Sequence, residues 1–233
     1  LKIVCMIGKR FLTSSFFLPI IILLYVKARS RNTMEIKRIN SYKDNRFSDK
    51  VLKQHGAFTA DGSPCEVEII SDTEAVFHGD EKYSDPVLEE FRLYAEHITK
   101  FYNEQGNCIK EYEPAKLFDV PLSKIQPSQF YVDRDKKQAT ASFITKPEDI
   151  VIPLIKSEDR YISIDGHTRM SVAVDMGFDY VKGFVTECGD WCKIFVEEAK
   201  KRGILSPYDL VELDHEEYDI KWNKFCDNIF AKE

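Results

Sequence analysis

The sequence predicts a mixed α/β (α+β) protein, and three observations predict it. Tyr161-Ile162-Ser163-Ile164 alternates β-branched and aromatic residues, turns at Asp165-Gly166 into a helical stretch closing at Gly177, and is followed by a strand over Tyr180–Val185. Two short apolar runs, 57–60 and 65–70, flank Asp61-Gly62-Ser63-Pro64, a hairpin signal with Asp-Gly as the turn. Amphipathic helical spacing recurs over 84–105, 189–202 and 215–230.

A chain of 233 residues with 43% hydrophobic and 31% charged residues can bury a sizeable core. The net charge of −6 is unevenly spread. Residues 1–33 hold Lys2, Lys9, Arg10, Lys27, Arg29 and Arg31 and no acid, leaving 27 bases against 39 acids, a net charge of −12, for the rest. An acidic body repels a polyanion, which argues against general nucleic-acid binding. Cys5, Cys65, Cys108, Cys188, Cys192 and Cys226 contain no C-x-x-C pair and no His/Cys set at ligand spacing. They read as scattered thiols of a reducing cytoplasm, with no metal site.

Four segments follow in order. Residues 1–33 read as an apolar and basic extension ahead of the body, because composition breaks at Met34. The run from Phe16 to Val26 is interrupted by Pro19 and is short for a membrane span. The alternative is a membrane anchor through residues 11–26; only then would a membrane be a partner. Residues 34–113 read as a small N-terminal hairpin-plus-helix region. It has a short helix over 47–55, the hairpin, a third strand over 75–78 and a long helix from Ser84 to Gln105. Val87, Phe91, Tyr94, Ile98 and Phe101 form that helix's core stripe, with His97 structural beside it.

Residues 114–187 carry the main α/β domain. Strands are expected over 117–125 and 150–155, with Pro153 marking an edge or an end, and a helix over 138–144. Residues 188–233 read as C-terminal helices.

The stretch around Gly166 carries the chemistry. A strand, a tight glycine turn and a helix N-terminus present outward N–H groups to an anion. Thr168 adds a hydroxyl, His167 an imidazole and Arg169 a guanidinium suited to a phosphate. Gly166, His167, Thr168 and Arg169 are therefore the candidate phosphate-binding residues.

Residues 117–187 resemble the ParB/sulfiredoxin-like fold. The resemblance rests on Val120-Pro121-Leu122-Ser123-Lys124-Ile125, Ile152-Pro153-Leu154-Ile155, Tyr161 through Arg169, Ala173-Val174-Asp175-Met176-Gly177 and Val181. Sulfiredoxins carry Gly-Cys-His-Arg at the turn; His167 stands in the Cys position here, which excludes sulfinic-acid reduction. Chromosome-partitioning members carry Gly-Glu-Arg-Arg and a DNA-reading domain that this chain does not match, so a DNA-binding relative is the weakest alternative. Asp165-Gly166-x-x-Arg169 is most similar to the turn of the free-serine kinase branch, with Thr168 in place of its His. The resemblance implies ATP or ADP as cofactor, with Mg²⁺ as companion ion. It implies a small-molecule substrate such as free serine, Gly166, His167, Thr168, Arg169 and Ser128 as the nucleotide-binding residues, and Asp165, Glu187 and Gln129 as the candidate catalytic ones, with Asp165 orienting a metal-bound water or a hydroxyl. The base position of those kinases falls on Gln129, which cannot accept a proton. A non-catalytic nucleotide-binding regulatory module is the alternative to a phosphotransferase.

Overall fold

The computed structural model describes residues 34–41 and 43–230. The expected extension over 1–33 lies outside the described residues. Among those described, no helix is long and apolar enough to cross a membrane. The described chain is mixed α/β and divides between Glu113 and Pro114 into two compact units.

The first unit is built on one sheet with strands in sequence order: β1 (Ile36–Arg38), β2 (Ala57–Ala60), β3 (Ser63–Ile69), β4 (Glu74–His78), β5 (Lys100–Tyr102) and β6 (Cys108–Glu111). The Asp-Gly turn is present. Asp61 and Gly62 both take positive φ, 48° and 80°, which suits the twist of a two-residue hairpin. Neighbouring strands are antiparallel except β4 and β5, which run parallel. A parallel pair needs a crossover, and α2 (Ser84–Arg92) supplies it; α1 is Asp49–Lys53.

That crossover corrects the long helix expected over 84–105. The helix stops at Arg92, and Phe101 joins strand β5 with none of its surface exposed. Ile98 is also fully buried, so the apolar spacing that suggested one helix serves a turn and a strand against the same core. Gly106, expected to stop the helix, takes φ 79° in the β5–β6 turn instead. His97 is buried in the turn that follows α2.

The second unit contains a mixed sheet in the order β7 (Phe118–Pro121), β12 (Tyr180–Val185), β10 (Val151–Ser157), β11 (Arg160–Ser163), β8 (Ile125–Pro127). The single strand expected over 117–125 is two strands on opposite edges, separated by a 3₁₀ turn at Leu122–Lys124. Leu122 in that turn is fully buried, which explains an unbroken apolar pattern. Pro153 lies in central β10, not on an edge. Its C=O accepts Ile164 N–H, so its nitrogen faces β11 just past the last ladder pair, Leu154–Ser163, where no N–H is needed.

α3 (Arg134–Ala141) begins one turn before the expected 138–144, because Asp133 caps it by accepting from Asp135 N–H and Lys136 N–H at 2.9 and 3.3 Å. α4 (His167–Asp175) ends where Gly177 predicted, with φ 72°. Phe178 N–H reaches Ala173 C=O and Gly177 N–H reaches Val174 C=O, which closes the helix end. α5 (Trp191–Lys201), α6 (His215–Tyr218) and α7 (Lys224–Phe230) belong to this same unit, α6 and α7 being joined by a π turn over Asp219–Asn223. Phe130, Phe195, Leu213, Tyr218 and Trp222 form their core. β9 (Tyr131–Asp133) pairs in parallel with β13 (Val211–Leu213), setting Asp133 beside Leu213.

Candidate functional site

β11 delivers the chain to the turn. Gly166 follows with φ 78° and ψ 17° and is the N-cap of α4. Two facts require glycine there. The left-handed conformation disfavours any side chain. A Cβ would also lie 2.4 Å from Ile152 Cδ1 and 3.1 Å from Arg169 Nη2. Arg169 therefore folds back over the glycine. Its Nη1 donates to Val151 C=O at 2.8 Å and its Nη2 to the Asp165 carboxylate at 3.3 Å. Two of about five guanidinium donors are spent on the protein itself.

Asp165 is crowded, and crowding pushes its pKa up. The Arg169 charge and the Gly166 N–H outweigh that and hold it below the usual carboxylate range. With 43% of its side chain exposed, water offsets part of the crowding. No side chain caps α4, so the first-turn N–H groups of His167, Thr168 and Arg169 have neither a carbonyl one turn earlier nor a capping side chain. Thr168 is half-buried in that turn.

His167 points inward and is only 4% exposed. Its Nε2 accepts from Ser128 N–H at 3.3 Å and Gln129 N–H at 3.2 Å, with Ser163 Oγ also 3.3 Å away. An acceptor Nε2 places the ring proton on Nδ1. Burial pushes the pKa down to about 4, against the Asp165 charge, so the ring is neutral at pH 7. His167 thus joins the loop at Ser128 and Gln129 to the start of α4, whereas the sequence suggested a phosphate ligand.

The structure brings Ser128, Gln129, Asp165, Gly166, His167, Thr168 and Arg169 to one place and leaves Glu187 out. Val185 and Ser163 both pair with Leu154, but β12 and β11 run in opposite directions from it. The exposed Glu187, two residues past β12, and Asp165, two past β11, therefore diverge.

Gln129 Nε2 donates to Tyr131 C=O and to the Tyr218 hydroxyl. Burial first, then the nearby Cys226, Asp133 and Asp165, raise the Tyr218 pKa, which keeps the phenol protonated. Lys136 Nζ stands 4.9 Å from the Tyr218 ring centre. Beside them, the buried Asp133 carboxylate accepts from His215 Nδ1 at 2.8 Å. Burial pushes Asp133 up, but His215, the α3 N–H groups and Lys136 bring it below the usual range; Asp133 in turn raises His215.

Asp133, Asp135 and His215 also form a group, found among the described residues, whose ligand atoms lie within 4.8 Å of one another. Sequence reading missed it and missed Tyr218. His215 is 82 residues from Asp133, and pairing of β9 with β13 joins them. The one local signal was Asp133 as an N-cap ahead of a polar helix.

Comparison with known proteins adds little. No family model matches the chain, and no curated protein matches it. The solved structure of protein Atu1540 from Agrobacterium tumefaciens is similar at 15% identity and a TM-score of 0.30, over 42% of this chain and 62% of that one. The match thus spans less than two thirds of that protein's length.

Proposed function

We propose that residues 114–187 form a ParB/sulfiredoxin-like domain whose Asp165–Arg169 turn binds the phosphates of ATP or ADP. The reaction class this site serves is transfer of a phosphoryl group to a hydroxylated small molecule such as free serine. One observation carries the reading. A left-handed glycine opens the nine-residue α4 with no side-chain cap, and a guanidinium lies directly over it. First-turn N–H groups, the positive end of the helix dipole and Arg169 then converge on one anion. Asp165, ionised at neutral pH, would hold Mg²⁺ beside the phosphates or orient the acceptor hydroxyl.

A non-catalytic nucleotide-binding module is the second reading, and Gln129 favours it. The side chain at the expected base position is an amide already donating to Tyr131 C=O and Tyr218.

Thermal melting with ATP or ADP, with and without Mg²⁺, tests both readings. Nucleotide at a hundredfold excess over Kd should stabilise by about 2.7 kcal/mol. Arg169→Ala should weaken binding roughly ten- to a hundredfold, with Arg169→Lys recovering part of the loss. It should also cost about 1–2 kcal/mol of stability, since Val151 C=O loses its donor. No melting shift with either nucleotide sinks the proposal. A shift without phosphate transfer to any hydroxylated metabolite leaves the module reading.

A further inference from the structure

Two cysteines that the phosphate turn does not use sit together at the start of α5. Cys188 is half-buried and Cys192 is 3% exposed, and both are free thiols. They pack in one small cluster with Ile164, Val196 and Trp191. A single turn brings them together: Cys192 N–H donates to Gly189 C=O at 3.1 Å, and the Trp191 indole lies over Gly189, with ring atoms 3.0 and 3.2 Å from where a Cβ would stand. Adding a side chain at 189 would press on that ring, so the turn is held by packing as well as by its hydrogen bond.

The two sulfurs differ in environment. Cys188 is half-buried at the edge of the cluster and Cys192 is buried inside it, four residues on around the Gly189 turn. The neighbouring Cys192 side chain brings the Cys188 pKa below the usual thiol value despite burial. The helix N-terminus adds its positive end. The proximity of Cys188, together with burial, pushes Cys192 up. One sulfur is thus an accessible nucleophile, and the other a protonated neighbour within reach.

We propose that Cys188 and Cys192 form a redox-active dithiol that closes to an intramolecular disulfide by exchange with a low-molecular-weight disulfide. Cys188 thiolate attacks one sulfur of R–S–S–R, forming a mixed disulfide and expelling RS⁻. Cys192 then loses its proton and attacks the Cys188 sulfur, closing the Cys188–Cys192 bond and expelling the second RS⁻. The protein loses two electrons and two protons, and R–S–S–R becomes two thiols. The i, i+4 spacing across one turn suits the Cα separation of about 4.4–6.8 Å that a disulfide needs. The closed bond would fix the turn that leads into α5.

The test uses the full reduced chain, oxidised glutathione as the disulfide, and alkylation followed by tryptic mass mapping. Lys182 and Lys193 bound one peptide, Gly183–Lys193, that contains both cysteines. The expected result is that this peptide loses two hydrogens and escapes alkylation, while the exposed Cys108 remains open to alkylation. Cys192→Ser should instead stall with glutathione on Cys188, and Cys188→Ser should leave Cys192 unmodified. Two outcomes overturn the proposal. One is a glutathione adduct on Cys188 that persists in the wild-type chain, which shows that Cys192 does not resolve it. The other is a peptide alkylated at both cysteines under conditions that modify Cys108. Both are read on the wild-type protein, so a variant that fails to fold does not rescue the idea.

Discussion

The second unit begins two of its helices in opposite ways. α3 starts at Asp133, whose carboxylate accepts two of the helix's first N–H groups and is itself held by His215. α4 starts at Gly166, which has no side chain to cap it. Two of the first N–H groups of α3 are satisfied from within, while those of α4 have no capping side chain and stand beside a guanidinium. A helix N-terminus keeps its free N–H groups only when the chain does not cap it. In α4 the residue that would close it is replaced by one that lets the backbone turn and lets Arg169 lie flat over it.

The sharpest way to break this contrast is Gly166→Ala. The new Cβ would meet Ile152 Cδ1 at 2.4 Å, and Ile152 is fully buried and cannot swing aside. Left-handed strain of about 1–2 kcal/mol and overpacking of about 1–3 kcal/mol should together cost roughly 3–4 kcal/mol in urea unfolding. A loss under 1 kcal/mol would mean that the turn is not built as described.

His167 tests how firmly the 128–129 loop is tied to α4. Its folded pKa of about 4 lies below the ordinary histidine value of 6.5, so between those pH values the unfolded chain binds more protons. Stability should therefore fall as pH drops from 6.5 towards 4 and level off below. Linkage allows at most about 3 kcal/mol over that window. In His167→Gln this limb should vanish from the pH dependence of stability. An unchanged limb would assign it to other groups.

Asp133→Ala should open the closed helix. It removes the α3 cap and the His215 partner, costing about 1–2 kcal/mol at pH 7. Asp133 is held below its ordinary pKa, so its contribution is complete above the unfolded value and is lost as pH falls through the folded one. His215 is raised, so the stability its proton adds is complete below the unfolded value and is lost as pH rises through the folded one. The wild-type advantage over the variant should thus peak in mildly acidic solution. An advantage that grows steadily into alkaline solution would exclude the ion pair.

Gly177→Ala is the mildest change and the control for the first. Gly177 takes φ 72°, close to the 78° of Gly166, but a Cβ there meets nothing within 4 Å. It should cost only about 1 kcal/mol. The gap between the two glycine variants then measures the crowding around Gly166 alone.

Much of the local structure was legible. The Asp61-Gly62 turn, the β12 span, the stop of α4 at Gly177 and the strand-to-helix switch at Asp165-Gly166 follow from short-range backbone rules that few contacts override. Errors came where apolar spacing was ambiguous. Ile98 and Phe101 keep a helical interval but serve a turn and a strand, because β5 completes a parallel pair with β4 and that burial outweighs helix propensity.

By itself, the sequence determined where the chain must turn and which residues stand beside those turns, since glycine, proline and capping residues act on their immediate neighbours. Tertiary structure decided which groups actually meet. It turned His167 inward onto the backbone of Ser128 and Gln129, set Pro153 in a central strand where its missing N–H does no harm, and sent Glu187 away from Asp165. It also joined His215 to Asp133 across 82 residues. Those outcomes depend on strand order and direction, which arise from burying the faces of the sheet together, and no local pattern of residues encodes them.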